Sequence, residues 1–206
     1  MDLNLISFLT LFITFQLLFV GIFLITHKKG TRHNNTLLGS IFLLIAWNMI
    51  DLTMQINGAF THLTFLQHID SGFFLLYGPL FYLYAQGVMY RDFKLSKSNL
   101  LHLIPYLILT GLLLSLSKLR SGTTEDFIQN DLPRHFYLLS SLVYIHFFVY
   151  LGLTYKSLWK YRQIIKNTYS QIDQINLDWL SFSLNTFGLL TFVSLIHNFI
   201  SLAGNE

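Results

Sequence analysis

The sequence predicts an all-α, polytopic membrane helix bundle with six transmembrane helices. Hydrophobic residues make up 53% of the 206 residues and charged residues only 11%, whereas soluble domains carry about 25% charged residues. The apolar residues are gathered in six runs, and a helix needs about 20 such residues to cross a bilayer. These runs occupy most of the chain, so they predict a single transmembrane domain over residues 1–206.

The six predicted spans follow one another through short polar connections. Their approximate bounds are 3–26, 35–56, 65–90, 100–116, 135–158 and 177–202. The first run follows an acidic start, MDLN, and lacks a small-residue cleavage site, so we interpret it as a permanent helix rather than a signal peptide. The connection at 159–175 is polar enough for a loop or a surface helix.

The basic residues predict the orientation of the bundle. Nine of the thirteen Lys and Arg residues lie in the first, third and fifth connections, and Lys156 lies in the last turn of the span that leads into the fifth. The other three are Lys118, Arg120 and Arg134. Cytoplasmic loops carry the excess of Lys and Arg. We therefore expect a multi-pass protein of the cell inner membrane, with its N-terminus outside and its basic loops in the cytoplasm. Because six spans return the C-terminus to the outside, we also expect a seventh span in a longer protein.

The third predicted span carries the residues least suited to contact with lipid. Asp70 lies near its start, and Gly78 and Pro79 lie near its middle. A carboxylate in hydrocarbon is costly, and a proline leaves a backbone carbonyl without its helical partner. We therefore place this span inside the bundle and expect a structural role for Gly78-Pro79, with a bend at the proline.

A candidate ligand site is predicted from polar residues at similar depths. Asp51, Asp70 and His197 each lie about five residues from the outer end of a span, which places them ~8 Å below the outer surface. Tyr77 shares a helix face with Asp70, and His146 lies deeper in the fifth span. The five residues predict an outward-opening pocket for a small ligand, a cation or protons. Interhelical hydrogen bonds that only hold the bundle together are the alternative interpretation.

Three further residues are predicted to be structural. His102 and Pro105 open the fourth span, where a polar residue can cap the helix end and a proline is tolerated in the first turn. Trp179 falls at the membrane boundary, where amphipathic rings anchor a helix.

No cofactor, metal or enzymatic activity is expected from the sequence. The chain has no Cys, so it has neither disulfides nor thiolate metal sites. His and Asp side chains could hold Zn²⁺, but no HxH or HExxH spacing is present. A bis-histidine haem needs histidines at matched depths, which His146 and His197 do not provide. Phosphate-binding loops and nucleophile motifs are also missing from the sequence.

Three short motifs, in the same order, resemble the multi-span N-terminal region of membrane-bound AraC-type transcriptional regulators of Bacteroidetes. They are GPL at 78–80 with Tyr84, HLIP at 102–105, and YSQIDQINLDWL at 169–180. The spacing of the hydrophobic segments agrees with that family along the whole chain. In the family a further span and a cytoplasmic helix-turn-helix domain follow, and this sequence contains neither.

The resemblance implies a membrane-embedded sensory or signal-transducing domain. Its partners would be the lipid bilayer, a small-molecule or membrane-borne signal and a second copy in a homodimer, with DNA contacted only through a C-terminal domain absent from this chain. The alternative function is a small transporter or channel, although the sequence has neither an internal repeat nor a matching pair of broken helices. A membrane enzyme is the third possibility and lacks a visible catalytic constellation.

Overall fold

A computed structural model of the chain describes residues 5–56, 72–119, 133–168 and 175–204. All regular secondary structure in these residues is helical, which confirms the predicted all-α class. A 3₁₀ helix spans Lys97–Leu103. The α-helices are α1 (Leu5–Thr26), α2 (Arg32–Ile56), α3 (Phe74–Met89), α4 (Ile104–Leu119), α5 (Pro133–Thr168) and α6 (Asp178–Gly204).

A tight turn joins α1 to α2. Gly30 adopts φ +83° in this turn, a left-handed conformation that a glycine takes without steric cost. The Asn35 side chain on α2 donates hydrogen bonds to the carbonyls of Lys29 at 3.0 Å and His27 at 3.4 Å. These bonds satisfy two carbonyls of the turn that follows α1.

Small residues of α1 lie at its interface with α2. The Thr53 hydroxyl on α2 donates to the Thr10 hydroxyl on α1 at 2.8 Å. Small side chains let two helix backbones approach closely, and hydroxyls hydrogen-bond across the interface, as is usual between membrane helices. The buried residues of α1 are all small: Ser7, Thr10, Thr14 and Gly21.

Helix α3 packs between α2 and α5. It continues as one helix across Pro79. Two side-chain hydrogen bonds fix its C-terminal half: Asn34 of α2 donates to the Gly87 carbonyl at 2.9 Å, and Gln86 donates to Ser157 of α5 at 2.8 Å. Polar side chains therefore join α3 to both neighbours.

The 3₁₀ helix leads directly into α4. The Ser96 backbone N–H donates to the Asn99 side chain at 2.7 Å at the start of the 3₁₀ helix. Pro105 is the second residue of α4, a position whose backbone N–H has no partner within the helix. Leu109 of α4 packs on Leu75 of α3.

Helix α5 is longer than the span predicted at 135–158. It continues without a break for 36 residues, about 54 Å at 1.5 Å per residue. The first part of the polar connection is therefore a helical continuation of the span. Helix α6 packs on α5, and the two share a core with α3 formed by Ala85, Met89, Leu158, Leu180 and Leu184.

Three of the described helices are long and apolar enough to cross a membrane: Leu5–Thr26, Arg32–Met54 and Asp178–Ala203. They expose large apolar side chains, such as Phe8 at 59% and Phe182 at 73%. Exposed apolar surface of this extent is typical of contact with lipid. Within the described residues, α3 and α4 have 16 residues each, fewer than the roughly 20 that cross a bilayer.

Candidate functional site

Helices α3 and α5 approach each other closely at Gly78. A Cβ atom built on Gly78 would lie 3.1 Å from the Tyr150 Cβ atom, which is tighter than ordinary contact. The glycine therefore lets the Tyr150 side chain lie directly against α3. The neighbouring Pro79 is completely buried, as expected for a residue that leaves a carbonyl unpaired one turn earlier. The predicted bend at Pro79 stays a prediction.

Tyr150 is the centre of a cluster of polar rings, which we call the His/Tyr cluster: Tyr82, His102, His146 and Tyr150. The Tyr150 hydroxyl and the His102 Nδ1 atom are 2.7 Å apart and share a hydrogen bond. The Tyr82 ring lies with its centroid 6.1 Å from that of His102 and 6.0 Å from that of Tyr150. The cluster joins α3, the 3₁₀ helix and α5.

His146 lies one turn before Tyr150 on α5. The ring centroids of the two residues are 4.9 Å apart. Both ring nitrogens of His146 are buried without a hydrogen-bond partner among the described residues. A buried polar group without a partner costs about 1–3 kcal/mol. A water molecule or a ligand that hydrogen-bonds to a ring nitrogen would relieve this cost, so His146 can act as a binding group.

A cavity borders the α3–α5 interface. Its volume is about 170 Å³. Helices α2, α3, α5 and α6 all contribute to its wall. The lining residues are Ile41, Ile45, Phe74, Tyr77, Phe81, Phe147, Phe187 and Thr191. We call this space the apolar cavity.

The five residues predicted to form a polar pocket have different surroundings. Tyr77 lines the apolar cavity and accepts a hydrogen bond from Asn48 of α2, while Asp51 lies half-buried about one turn further along α2. His146 belongs to the His/Tyr cluster, and His197 is exposed on α6. Asp70 lies outside the described residues, so the shared pocket stays a prediction.

Arg162 joins α5 to α6 and was not predicted as a site residue. Its guanidinium donates to Asp178 at 2.9 Å, to Ser181 at 2.8 Å and to the Asn176 carbonyl at 3.1 Å. The Tyr161 hydroxyl donates to the Ile175 carbonyl at 3.1 Å. We call this set of bonds the α5–α6 clasp. An Arg sixteen residues before an Asp gives no local signal, since the pairing depends on how the chain turns.

Trp179 and His102 have contacts that add to their predicted roles. Trp179 is the second residue of α6, is 49% exposed and lies with its ring centroid 6.5 Å from that of Tyr84. His102 lies inside the 3₁₀ helix and bonds to Tyr150 rather than to a helix end. Tyr150 itself was missed, although its position four residues after His146 places both on one helix face.

A larger, more polar cavity lies at the C-terminal end of α3. Its volume is about 1250 Å³. The beginning of α2, the turn after α3 and the distal part of α5 contribute to its wall, including Asn34, Arg91, Asp92 and Tyr161. Within the described residues, no group of three or more His, Asp or Glu side chains is arranged to hold a metal ion.

Comparison of the chain with protein-family models, with curated proteins and with solved structures finds no match.

Proposed function

We propose that this chain is the membrane-embedded sensory domain of a transcriptional regulator whose DNA-binding part is absent from it. The observation that supports this proposal is the single long helix α5. At about 54 Å it exceeds the roughly 30 Å of hydrocarbon in a bilayer. One continuous helix is therefore longer than the hydrocarbon is thick. Such an element suits the transmission of a signal along its axis.

The contacts of α5 define what it would transmit. Tyr150 joins it to the His/Tyr cluster and lies against Gly78. Arg162 joins it to α6 through the α5–α6 clasp. These two residues are separated by about 18 Å of continuous helix. A shift of α5 at Tyr150 would therefore move the clasp as well.

A signal acts in this scheme only if it binds two arrangements of the bundle with different affinities. Tyr150 contacts Tyr82 and His102 through their rings and shares one hydrogen bond with His102. Because these contacts are not interlocked aliphatic packing, the interface beside Gly78 is suited to two arrangements. The polar bonds of α3 to α2 and α5 at Gly87 and Gln86 hold the other end of α3 in place. We propose that α5 moves relative to the 3₁₀ helix when the signal binds.

A chromosomal substitution tests the sensory function in the native host. Deletion of the gene should change the transcript levels of a defined set of genes, and the wild-type gene should restore them. Tyr150→Phe, which removes the hydroxyl bonded to His102, should mimic part of the deletion. Tyr144→Phe, on the same helix, should behave as wild type because its hydroxyl has no hydrogen-bond partner among the described residues. Unchanged transcripts together with altered solute uptake would instead establish the transporter alternative.

We also propose that the chain crosses the inner membrane six times with its basic connections in the cytoplasm. The unequal distribution of Lys and Arg supports this orientation. The chain has no native Cys, so a single introduced cysteine is its only thiol. Ser96→Cys and Thr123→Cys should react with an impermeant thiol reagent from opposite sides of the membrane. Thr123 lies outside the described residues and should be labelled in intact cells. Equal labelling of both positions would overturn the six-span arrangement.

A further inference from the structure

The apolar cavity has the size and walls of a ligand site. Its volume of about 170 Å³ is similar to that of a cavity of about 150 Å³, lined by Leu, Ile and Phe, that stays dry and binds benzene or xenon. Five of the eight lining residues are aromatic. Aromatic walls favour another ring, because edge-to-face and offset contacts between rings add to the gain from burial.

Water is a poor occupant of this cavity. A bound water needs two to four polar partners, and the polar side chains in the wall are Tyr77 and Thr191. The Tyr77 hydroxyl already accepts a hydrogen bond from Asn48, so the wall offers a water at most the Tyr77 O–H and the Thr191 hydroxyl, which is the minimum number of partners. No lining residue carries a charge, so ions and zwitterions would lose their hydration without compensation.

The arrangement of the helices provides a route from the bilayer. Ile41 and Ile45 are on α2, which packs on α1 and α3, whereas Phe187 and Thr191 are on α6, which packs on α5. Helices α2 and α6 are therefore on opposite sides of the cavity, and neither packs along the other within the described residues. Lateral entry between them keeps an apolar molecule out of water throughout.

We propose that the apolar cavity binds a compact apolar molecule about the size of a substituted benzene ring, which enters from the bilayer between α2 and α6. The proposal does not depend on the sensory function, since it concerns binding alone. A lipid acyl chain is a worse fit than a ring because the aromatic wall favours ring contacts and the volume is that of a single small molecule.

Photolabelling of the purified chain in phosphatidylcholine nanodiscs tests the proposal. The probe is trifluoromethyl phenyl diazirine, a substituted benzene that forms a carbene on illumination, and mass spectrometry of peptides locates the label. Labelling of the peptides that contain the lining residues should saturate with probe concentration. Benzene at about ten times its dissociation constant should lower that labelling roughly tenfold by mass action. Labelling at the exposed Phe8 and Phe15 should rise linearly with probe concentration and should not change when benzene is added.

Cavity-filling variants provide the matched comparison. Thr191→Leu adds volume to the wall of the cavity and should abolish the saturable labelling. Thr186→Leu makes the same chemical change on an exposed part of α6 and should leave it intact. If Thr191→Leu does not fold, Ile45→Phe fills the cavity from α2 and should abolish the saturable labelling instead.

Three results would overturn the proposal. The first is the lack of saturable labelling in the wild-type chain. The second is labelling that saturates equally in the filled variants and the wild type, since the probe would then bind elsewhere. The third is saturable labelling in a short-chain detergent that disappears in nanodiscs, because a lipid acyl chain would then be the occupant.

Discussion

Gly39 on α2 is the position where a single added methyl group should have the largest effect on the α1–α2 pair. A Cβ atom there would lie 2.7 Å from the Ile25 Cγ1 atom and 2.8 Å from the Gly21 carbonyl oxygen. The carbonyl belongs to the backbone and cannot rotate away, so the two helices must separate. Gly39→Ala should therefore destabilise the protein.

The magnitude follows from two opposing effects. Overpacking a well-packed site costs about 1–3 kcal/mol, and the backbone contact places Gly39→Ala towards the upper end of this range. Alanine regains about 1 kcal/mol of helix propensity relative to glycine. The net loss is about 1–2 kcal/mol, which for a chain of this length lowers the unfolding midpoint by roughly 2–8 °C.

Gly152 on α5 is the matched control. A Cβ atom there meets no atom within 4 Å, so Gly152→Ala gains helix propensity without a clash and should raise the midpoint by about 2–4 °C. Gly21→Ala should have a smaller effect than Gly39→Ala because its closest contact, at 2.8 Å, is the end of the flexible Leu43 side chain.

Thermal unfolding of the three variants in one detergent, followed by circular dichroism and tryptophan fluorescence, measures these shifts. Opposite signs for Gly39→Ala and Gly152→Ala are the expected result. A rise in the midpoint for both would show that α1 and α2 are not in close contact at Gly39.

Two further predictions concern the His/Tyr cluster and the α5–α6 clasp. A double-mutant cycle of His102→Phe and Tyr150→Phe should give a coupling energy near the ~0.6 kcal/mol average for membrane proteins, and at most about 1.7; additive losses would exclude the bond. Arg162→Gln should speed the exchange of backbone amide hydrogens across residues 175–181, because it removes the three hydrogen bonds of the guanidinium at once. Asp178→Asn should change exchange much less, since Asp178 is 76% exposed and exposed ion pairs contribute about 0–1 kcal/mol; equal effects would show that the ion pair alone holds the clasp.

The sequence could predict the apolar elements because their cause is local. Runs near 3–26 and 177–202 correspond to α1 and α6 within two residues at each end. In lipid, the helix is the structure in which a single segment satisfies its own backbone groups. The end of α5 was harder to predict because polar residues predominate in its last ten positions. Polarity alone does not distinguish a loop from a helix outside the bilayer.

The partners of the polar residues could not be predicted from the sequence. Tyr150 and His102 are 48 positions apart, and Asn48 and Tyr77 are 29 apart. Depth along a span could be counted from its end, which is how the polar pocket was predicted, but counting does not determine the direction in which a side chain points. His197 shows the difference, because its depth was counted and its exposed position on α6 depends on the rotation of that helix.

By itself the sequence determined that this protein is helical, apolar and suited to a membrane, because those properties depend on the composition of each run and on the needs of its own backbone. Only the tertiary structure decided which face of each helix meets a neighbour. In a soluble protein the apolar face marks the core, but in lipid the outward face is equally apolar, so hydrophobic periodicity carries little information about contacts. Close contacts at glycines, the His/Tyr cluster and the apolar cavity all depend on that choice of faces.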